Sequence, residues 1–139
     1  MLSIFLVICL VVALSVTIHY EFLHQLTRLL PNISIRPRPR ILLGVLVALI
    51  AHTIEIWIFA VTYFFMHRSG NWGYLEGNFD GSLEACVYYS FTTYTTLGFG
   101  DIAPFGDLRF LTGIESLTGL VLITWTASFL YIEMSRYWD

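Results

Sequence analysis

Small residues interrupt an otherwise apolar sequence in the segment TTYTTLGFGDIAP, residues 92–104. Within it, Gly98 and Gly100 alternate with Leu97 and Phe99. Glycine reaches left-handed backbone torsions as readily as right-handed ones, so this alternation allows successive carbonyl groups to point in one direction. A ring of carbonyl oxygens can replace the hydration shell of a potassium ion. We therefore predict that this segment binds a ligand or an ion through its backbone.

A short helix is predicted directly before this segment, at residues 83–95. Ser82 can cap its N-terminus, and Glu84 in its first turn is favourably placed against the helix dipole. The composition, described below, indicates a membrane protein. A helix of this length is too short to cross a hydrocarbon core, which requires about 20 residues, so it must enter the membrane and return. Irregular backbone at that depth is tolerated only where it is buried in protein or lines a water-filled cavity. One chain cannot surround an ion, so symmetry-related chains must supply the remaining carbonyls.

The run TTLGFGD resembles the selectivity-filter signature of potassium channels, which is usually Thr-Val-Gly-Tyr-Gly-Asp. The resemblance extends through ACVYYSFTTYTTLGFGDIAP and covers residues 41–134 approximately. It implies a pore of four chains in which K+ is bound at residues 96–99 and the Thr96 hydroxyl closes the inner end of the filter. The implied filter residues are Thr96, Leu97, Gly98, Phe99 and Gly100.

The same resemblance implies a set of residues that support the filter. These are Tyr88, Tyr89, Thr92, Thr95 and Asp101. Asp101 would brace the outer mouth, and the two tyrosines occupy the positions of the aromatic cuff. Phe99 departs from the commoner tyrosine and lacks the hydroxyl that would bond to that cuff. Thr92 stands where some members have a glutamate that pairs with the filter aspartate, so this brace is either absent or made by another group.

Four residues in the long helices are candidates for gating. Glu115 and Gly119, in ESLTG, resemble the inner-helix Glu and Gly of small prokaryotic channels. Gly119 is either a hinge or a point where a neighbouring helix packs closely. His52 and Glu55 share one helix face at a depth where an unpaired charge is costly, so they pair with each other or with Glu115. Such a pair is either proton-sensitive or neutral and structural; a metal half-site is disfavoured because no further ligand follows this spacing.

The composition indicates an integral membrane protein. Of 139 residues, 57% are hydrophobic and 12% are charged, and the mean hydropathy is +0.73, which is too apolar for a soluble domain of this size. Three apolar runs, at residues 2–19, 41–66 and 108–134, are long enough to span as helices. We predict an all-α membrane protein with three transmembrane helices, a re-entrant pore helix and a filter loop, assembled as a tetrameric potassium-channel pore.

The arginines predict the orientation. Of the seven basic residues, four lie between the first and second apolar runs: Arg28, Arg36, Arg38 and Arg40. By the positive-inside rule this segment is cytoplasmic, so the N-terminus is outside and the C-terminus is in the cytoplasm. The expected membrane is the plasma membrane or the inner cell membrane. The alternative is a signal peptide cleaved near residues 13–15, which would leave the arginines outside.

The segment between these runs has two predicted parts. YEFLHQLTRLL repeats apolar residues at helical spacing, which is typical of an amphipathic segment at the membrane interface. PNISIRPRPR predicts an extended linker because prolines break helices, and its Arg36, Arg38 and Arg40 contact either anionic head groups or solvent. We assign residues 1–40 to an N-terminal helix with a basic linker and residues 41–139 to a pore domain with outer helix, pore loop and inner helix.

The predicted function is passive, selective conduction of K+ by a homotetramer. No nucleophile elbow, phosphate loop or metalloprotease motif supports an enzyme, and neither a cofactor apart from the permeant ion nor a nucleic-acid partner is expected. A weakly selective cation channel is the first alternative, which the departures at Phe99 and Thr92 favour. The second is a non-conducting membrane subunit or sensor that modulates a partner.

Overall fold

The computed structural model describes residues 2–32 and 37–137. In chain order the elements are α1 (Leu2–Leu29), a 3-10 turn (Leu30–Asn32), α2 (Pro37–Ser69), β1 (Gly73–Gly77), α3 (Leu83–Tyr94), β2 (Ile102–Gly106) and α4 (Leu108–Tyr137). Three helices in these ranges are long and apolar enough to cross a membrane: Leu2–Leu29, Pro39–Ser69 and Leu108–Arg136. The predicted helical membrane fold, with a short helix before the last span, is confirmed.

The first helix is longer than predicted. α1 continues without a break to Leu29, so the separate interfacial segment predicted after residue 19 was wrong. Part of the apolar stripe that suggested it is buried against protein, whereas Leu29 is exposed; a helix continues where its apolar face finds a packing partner. The buried cluster contains Leu23, Leu26 and Leu30, packed with Val47 and Phe129.

The second helix begins earlier than predicted. α2 starts at Pro37, so the extended linker was wrong for residues 37–40, and the predicted domain boundary falls within a helix. Proline is tolerated in a first turn because the N–H groups there have no intrahelical acceptor. Arg36 lies outside the described residues, whereas Arg38 and Arg40 lie in the first turns of α2. Their contact with anionic head groups stays a prediction.

The short helix α3 begins where its cap predicts. The Ser82 hydroxyl accepts a hydrogen bond from the Ala85 N–H at 3.0 Å, and Glu84 lies in the first turn. The helix ends at Tyr94, and Thr95 follows as its C-cap. Its 12 residues are packed between α2 and α4.

A two-stranded sheet holds the loop after α2 against the segment after α3. β1 and β2 pair antiparallel, with Gly73 opposite Gly106 and Gly77 opposite Ile102. The Leu108 N–H also donates to the Trp72 carbonyl at 3.0 Å. The sequence analysis predicted no strand, so this sheet is an addition to the all-α description.

The core lies where α2, α3 and α4 meet. Phe59 and Tyr63 of α2 and Leu111 of α4 are fully buried there. α1 contacts α2 and α4, and its Ile4 and Val11 belong to the same core cluster. The additional N-terminal helix is therefore packed against the other helices of its own chain.

Candidate functional site

The backbone of the candidate filter alternates in handedness. Thr96, Gly98 and Gly100 have φ angles of +60°, +50° and +78°, whereas the intervening Leu97 and Phe99 do not have positive φ. The two glycines were expected to take this conformation, but Thr96 was not. A β-branched residue at positive φ is a true outlier, and such strain is concentrated at functional sites. All five residues are exposed in the single chain.

The C-terminal end of α3 holds this segment. The Gly98 N–H donates to the Thr92 carbonyl at 2.9 Å, and the Thr96 N–H donates to the Thr93 carbonyl at 2.9 Å. The Ser116 hydroxyl of α4 donates to the same Thr93 carbonyl at 3.1 Å. The last carbonyl groups of a helix have no partner within the helix. Here they accept hydrogen bonds that hold the segment after α3.

A tyrosine provides the brace at Asp101. The Tyr88 hydroxyl donates to Asp101 Oδ2 at 2.9 Å, and the Asn78 N–H donates to the Asp101 carbonyl at 2.8 Å. The hydrogen bond to the carboxylate raises the pKa of Tyr88, because it stabilises the protonated phenol. The Thr92 hydroxyl donates instead to the Tyr89 carbonyl at 2.9 Å. The threonine at position 92 left two possibilities, that the contact to Asp101 is absent or that another group makes it. Tyr88 makes this contact.

The other supporting residues have different partners. The Tyr89 and Thr112 hydroxyls are 2.9 Å apart, which connects α3 to α4. The Thr95 hydroxyl donates to the Phe91 carbonyl at 2.7 Å and is exposed. A cavity of about 250 Å³ lies beside the candidate filter, with Thr92 and Ser116 in its wall.

Glu115 has its own buried network. Its Oε2 accepts from the Tyr63 hydroxyl at 2.6 Å, and its Oε1 accepts from the Ser90 hydroxyl at 2.5 Å. Both Glu115 and Ser90 are fully buried. The possible pairing of His52 or Glu55 with Glu115 does not occur among these contacts.

His52 and Glu55 pair with each other, and a third residue joins them. His52 Nδ1 lies 3.1 Å from Glu55 Oε2, and His19 Nδ1 from α1 lies 2.9 Å from Glu55 Oε1. His19 and Glu55 are fully buried. The sequence analysis missed His19 because it lies on another helix. The available signal was depth: His19 precedes the basic linker by about as many residues as His52 follows it.

Two hydroxyl groups complete this cluster, which we call the histidine cluster: His19, His52, Glu55, Tyr94 and Thr126. The Tyr94 hydroxyl donates to Glu55 Oε2 and lies 3.0 Å from His52 Nδ1. Thr126 Oγ1 lies 3.0 Å from His52 Nε2 and 3.3 Å from His19 Nε2. The cluster connects the N-terminal helix to the last residue of α3.

Gly119 lies against the end of α3. A Cβ atom at this position would be 2.1 Å from the Tyr94 carbonyl oxygen. α4 continues through Gly119 without interruption. The geometry favours the close-packing interpretation of this glycine over the hinge.

Comparison with known protein families gives a match over the region that contains α3 and the segment after it. A family model described as an ion channel matches residues 42–136, a range that includes α3, the candidate filter and most of α2 and α4. No curated protein and no solved structure shows significant similarity to the chain.

Proposed function

The chain belongs to the ion-channel family, and on that premise we propose that it forms a homotetrameric channel that conducts potassium selectively. It is a membrane protein of ion transport, with three helices long enough to span. The observation that carries the selectivity proposal is the alternation of positive and negative φ across the exposed segment 96–100. This alternation allows consecutive carbonyls to face one side.

Potassium selectivity follows from what such carbonyls do. Carbonyl oxygens held around an axis replace the hydration shell of K+, and the number and spacing of these dipoles discriminate against Na+. Each chain contributes one such segment, so four chains complete the rings. The C-terminal end of α3 points its negative dipole end at the segment and favours a cation beside it.

The central test is the reversal potential of purified protein in liposomes or planar bilayers under opposing K+ and Na+ gradients. We expect a strong preference for K+ in the parent and loss of that preference in Gly98→Ala. An added Cβ at position 98 meets nothing within 4 Å, so the effect comes from its φ of +50°, which costs a residue with a Cβ roughly 1–2 kcal/mol in each of four chains.

Controls separate this conformational effect from general damage. Gly113→Ala also adds a methyl group where nothing lies within 4 Å, but it is inside α4 and should preserve selectivity. Phe99→Tyr should be tolerated because tyrosine is the commoner residue at this position of the potassium-channel signature. Selectivity equal to the parent in Gly98→Ala would refute the filter assignment.

A weakly selective cation channel is the second candidate. The cavity of about 250 Å³ beside Thr92 favours it, because a filter with empty space behind it is held less tightly. A reversal potential midway between the equilibrium potentials of K+ and Na+ would support this candidate. Absence of any current from correctly assembled protein would support the non-conducting subunit instead.

Assembly and orientation need separate measurements. Native mass measurement in mild detergent should give four chains, and a stable dimer would contradict the proposed rings.

For orientation, a cysteine introduced at Asn71, in a background lacking Cys9 and Cys86, should react with an impermeant reagent outside intact cells. A cysteine at Ser34 should not react, because the arginine-rich segment is expected in the cytoplasm; the reverse pattern would invert the orientation.

A further inference from the structure

We propose that His19, His52 and Glu55 form a binding site for one divalent transition-metal ion per chain, of which zinc is the best fit. One potential ligand atom from each residue lies within 4.8 Å of the others. The histidines come from α1 and α2, and the carboxylate lies between them, 2.9 Å and 3.1 Å from their Nδ1 atoms. The proposal concerns binding and holds independently of whether the chain conducts ions.

The ligand set matches zinc chemistry. Two imidazole nitrogens and one carboxylate oxygen form a recurrent three-ligand zinc set that leaves a fourth position open. Zinc bonds of about 2.0–2.2 Å in a tetrahedron put neighbouring ligand atoms about 3.4 Å apart. Separations that now reach 4.8 Å would therefore have to shorten by up to about 1.4 Å to admit the ion. The Tyr94 hydroxyl contacts two of the three ligand residues, Glu55 and His52.

The arrangement of hydrogen-bonding groups is compatible with an ion at this place. If both imidazoles are neutral and both Nδ1 atoms donate to Glu55, both Nε2 atoms are bare and face the single hydroxyl proton of Thr126. One Nε2 then has no donor. If both Nδ1 atoms instead bind a metal, both Nε2 atoms carry a proton, and the two lone pairs of Thr126 Oγ1 accept both. Such an outer hydrogen bond is what fixes the tautomer of metal-binding histidines.

The site is shielded but reachable. The side chains of His19 and Glu55 are 1% and 0% exposed, whereas that of His52 is 14% exposed. His52 lies in the wall of a cavity of about 410 Å³ that also touches Tyr94 and Thr126. An ion in this cavity meets His52 first and then the two buried ligands.

The decisive experiment is titration of the full-length protein with Zn²⁺ alone, in detergent and after chelator treatment, with a purification tag that contains no histidine. Isothermal titration calorimetry should show saturable binding of one ion per chain. His19→Gln and His52→Gln should each weaken binding by about 100-fold or more, since loss of an outer-sphere partner alone costs 10- to 100-fold. His24→Gln is the matched control, because His24 is on α1 but stacks on Tyr20 instead.

Two further variants distinguish a metal ligand from a merely structural histidine. His19→Cys should restore binding and should give the ligand-field and thiolate absorption of a Co²⁺–sulfur bond. Thr126→Val should weaken binding by about 10- to 100-fold, whereas Thr124→Val, whose hydroxyl bonds its own helix at Leu120, should not. No saturable binding, or binding unchanged in assembled His19→Gln and His52→Gln proteins, would overturn the proposal.

Discussion

Replacement of Gly119 by alanine tests how α4 is fitted to the end of the pore helix. The new Cβ would lie 2.1 Å from the Tyr94 carbonyl oxygen and 2.9 Å from the carbonyl carbon. These atoms are backbone, so no side-chain rotation can relieve the contact. Either α4 or the end of α3 must instead move away from the other.

The size of this effect follows from the geometry. Bringing the new contact even to the ~3.3 Å of a weak C–H···O interaction requires a displacement of about 1 Å. Overpacking of this kind costs about 1–3 kcal/mol, and the better helix propensity of alanine offsets about 1 kcal/mol of it. A net loss of up to about 2 kcal/mol per chain in the free energy of unfolding remains for Gly119→Ala.

Thermal unfolding followed by intrinsic fluorescence, together with K+ flux from liposomes, measures both consequences. Gly119→Ala should unfold at a lower temperature and carry less flux. The control Gly113→Ala, on the same helix with nothing within 4 Å of the new Cβ, should match or exceed the stability of the parent. A hinge would behave differently: Gly119→Ala would unfold like the parent and change only the open probability, which would refute the packing argument.

The remaining predictions concern two tyrosine-to-carboxylate contacts outside the histidine cluster. Tyr88→Phe removes the hydrogen bond to Asp101, so currents should decay about 5-fold faster, which corresponds to about 1 kcal/mol; decay at the parental rate would contradict the brace. Glu115→Gln should lower the free energy of unfolding by about 1–3 kcal/mol. A double-mutant cycle with Tyr63→Phe should give a coupling of at least about 0.5 kcal/mol, and strict additivity would show that the 2.6 Å contact contributes nothing.

Local signals in the sequence were sufficient for the pore helix. Its start at Leu83 follows from the Ser82 cap, which acts within a single turn and needs no distant partner. The handedness at Gly98 and Gly100 is likewise a property of the residue type. The positive φ of Thr96 could not be predicted, because only surrounding structure can hold a β-branched residue there.

Features that depend on distant partners were missed. The strands β1 and β2 are separated by the whole of α3, and neither shows a clear alternating pattern. Tyr88 was placed in the cuff, but its bond to Asp101 depends on the path of the chain between them. The early start of α2 at Pro37 has a different cause: proline in a first turn and proline in an extended linker give the same local signal.

Two buried carboxylates act on the same short helix from different neighbours. Glu115 of α4 accepts from Ser90 in the middle of α3, and Glu55 of α2 accepts from Tyr94 at its end. Between membrane helices the hydrophobic effect gives little driving force, so close packing and interhelical hydrogen bonds determine how the helices are placed. A helix of 12 residues also lacks the ends in water that orient a spanning helix. The position of α3, and of the candidate filter that follows it, therefore depends on these two polar contacts and on the close approach of α4 at Gly119.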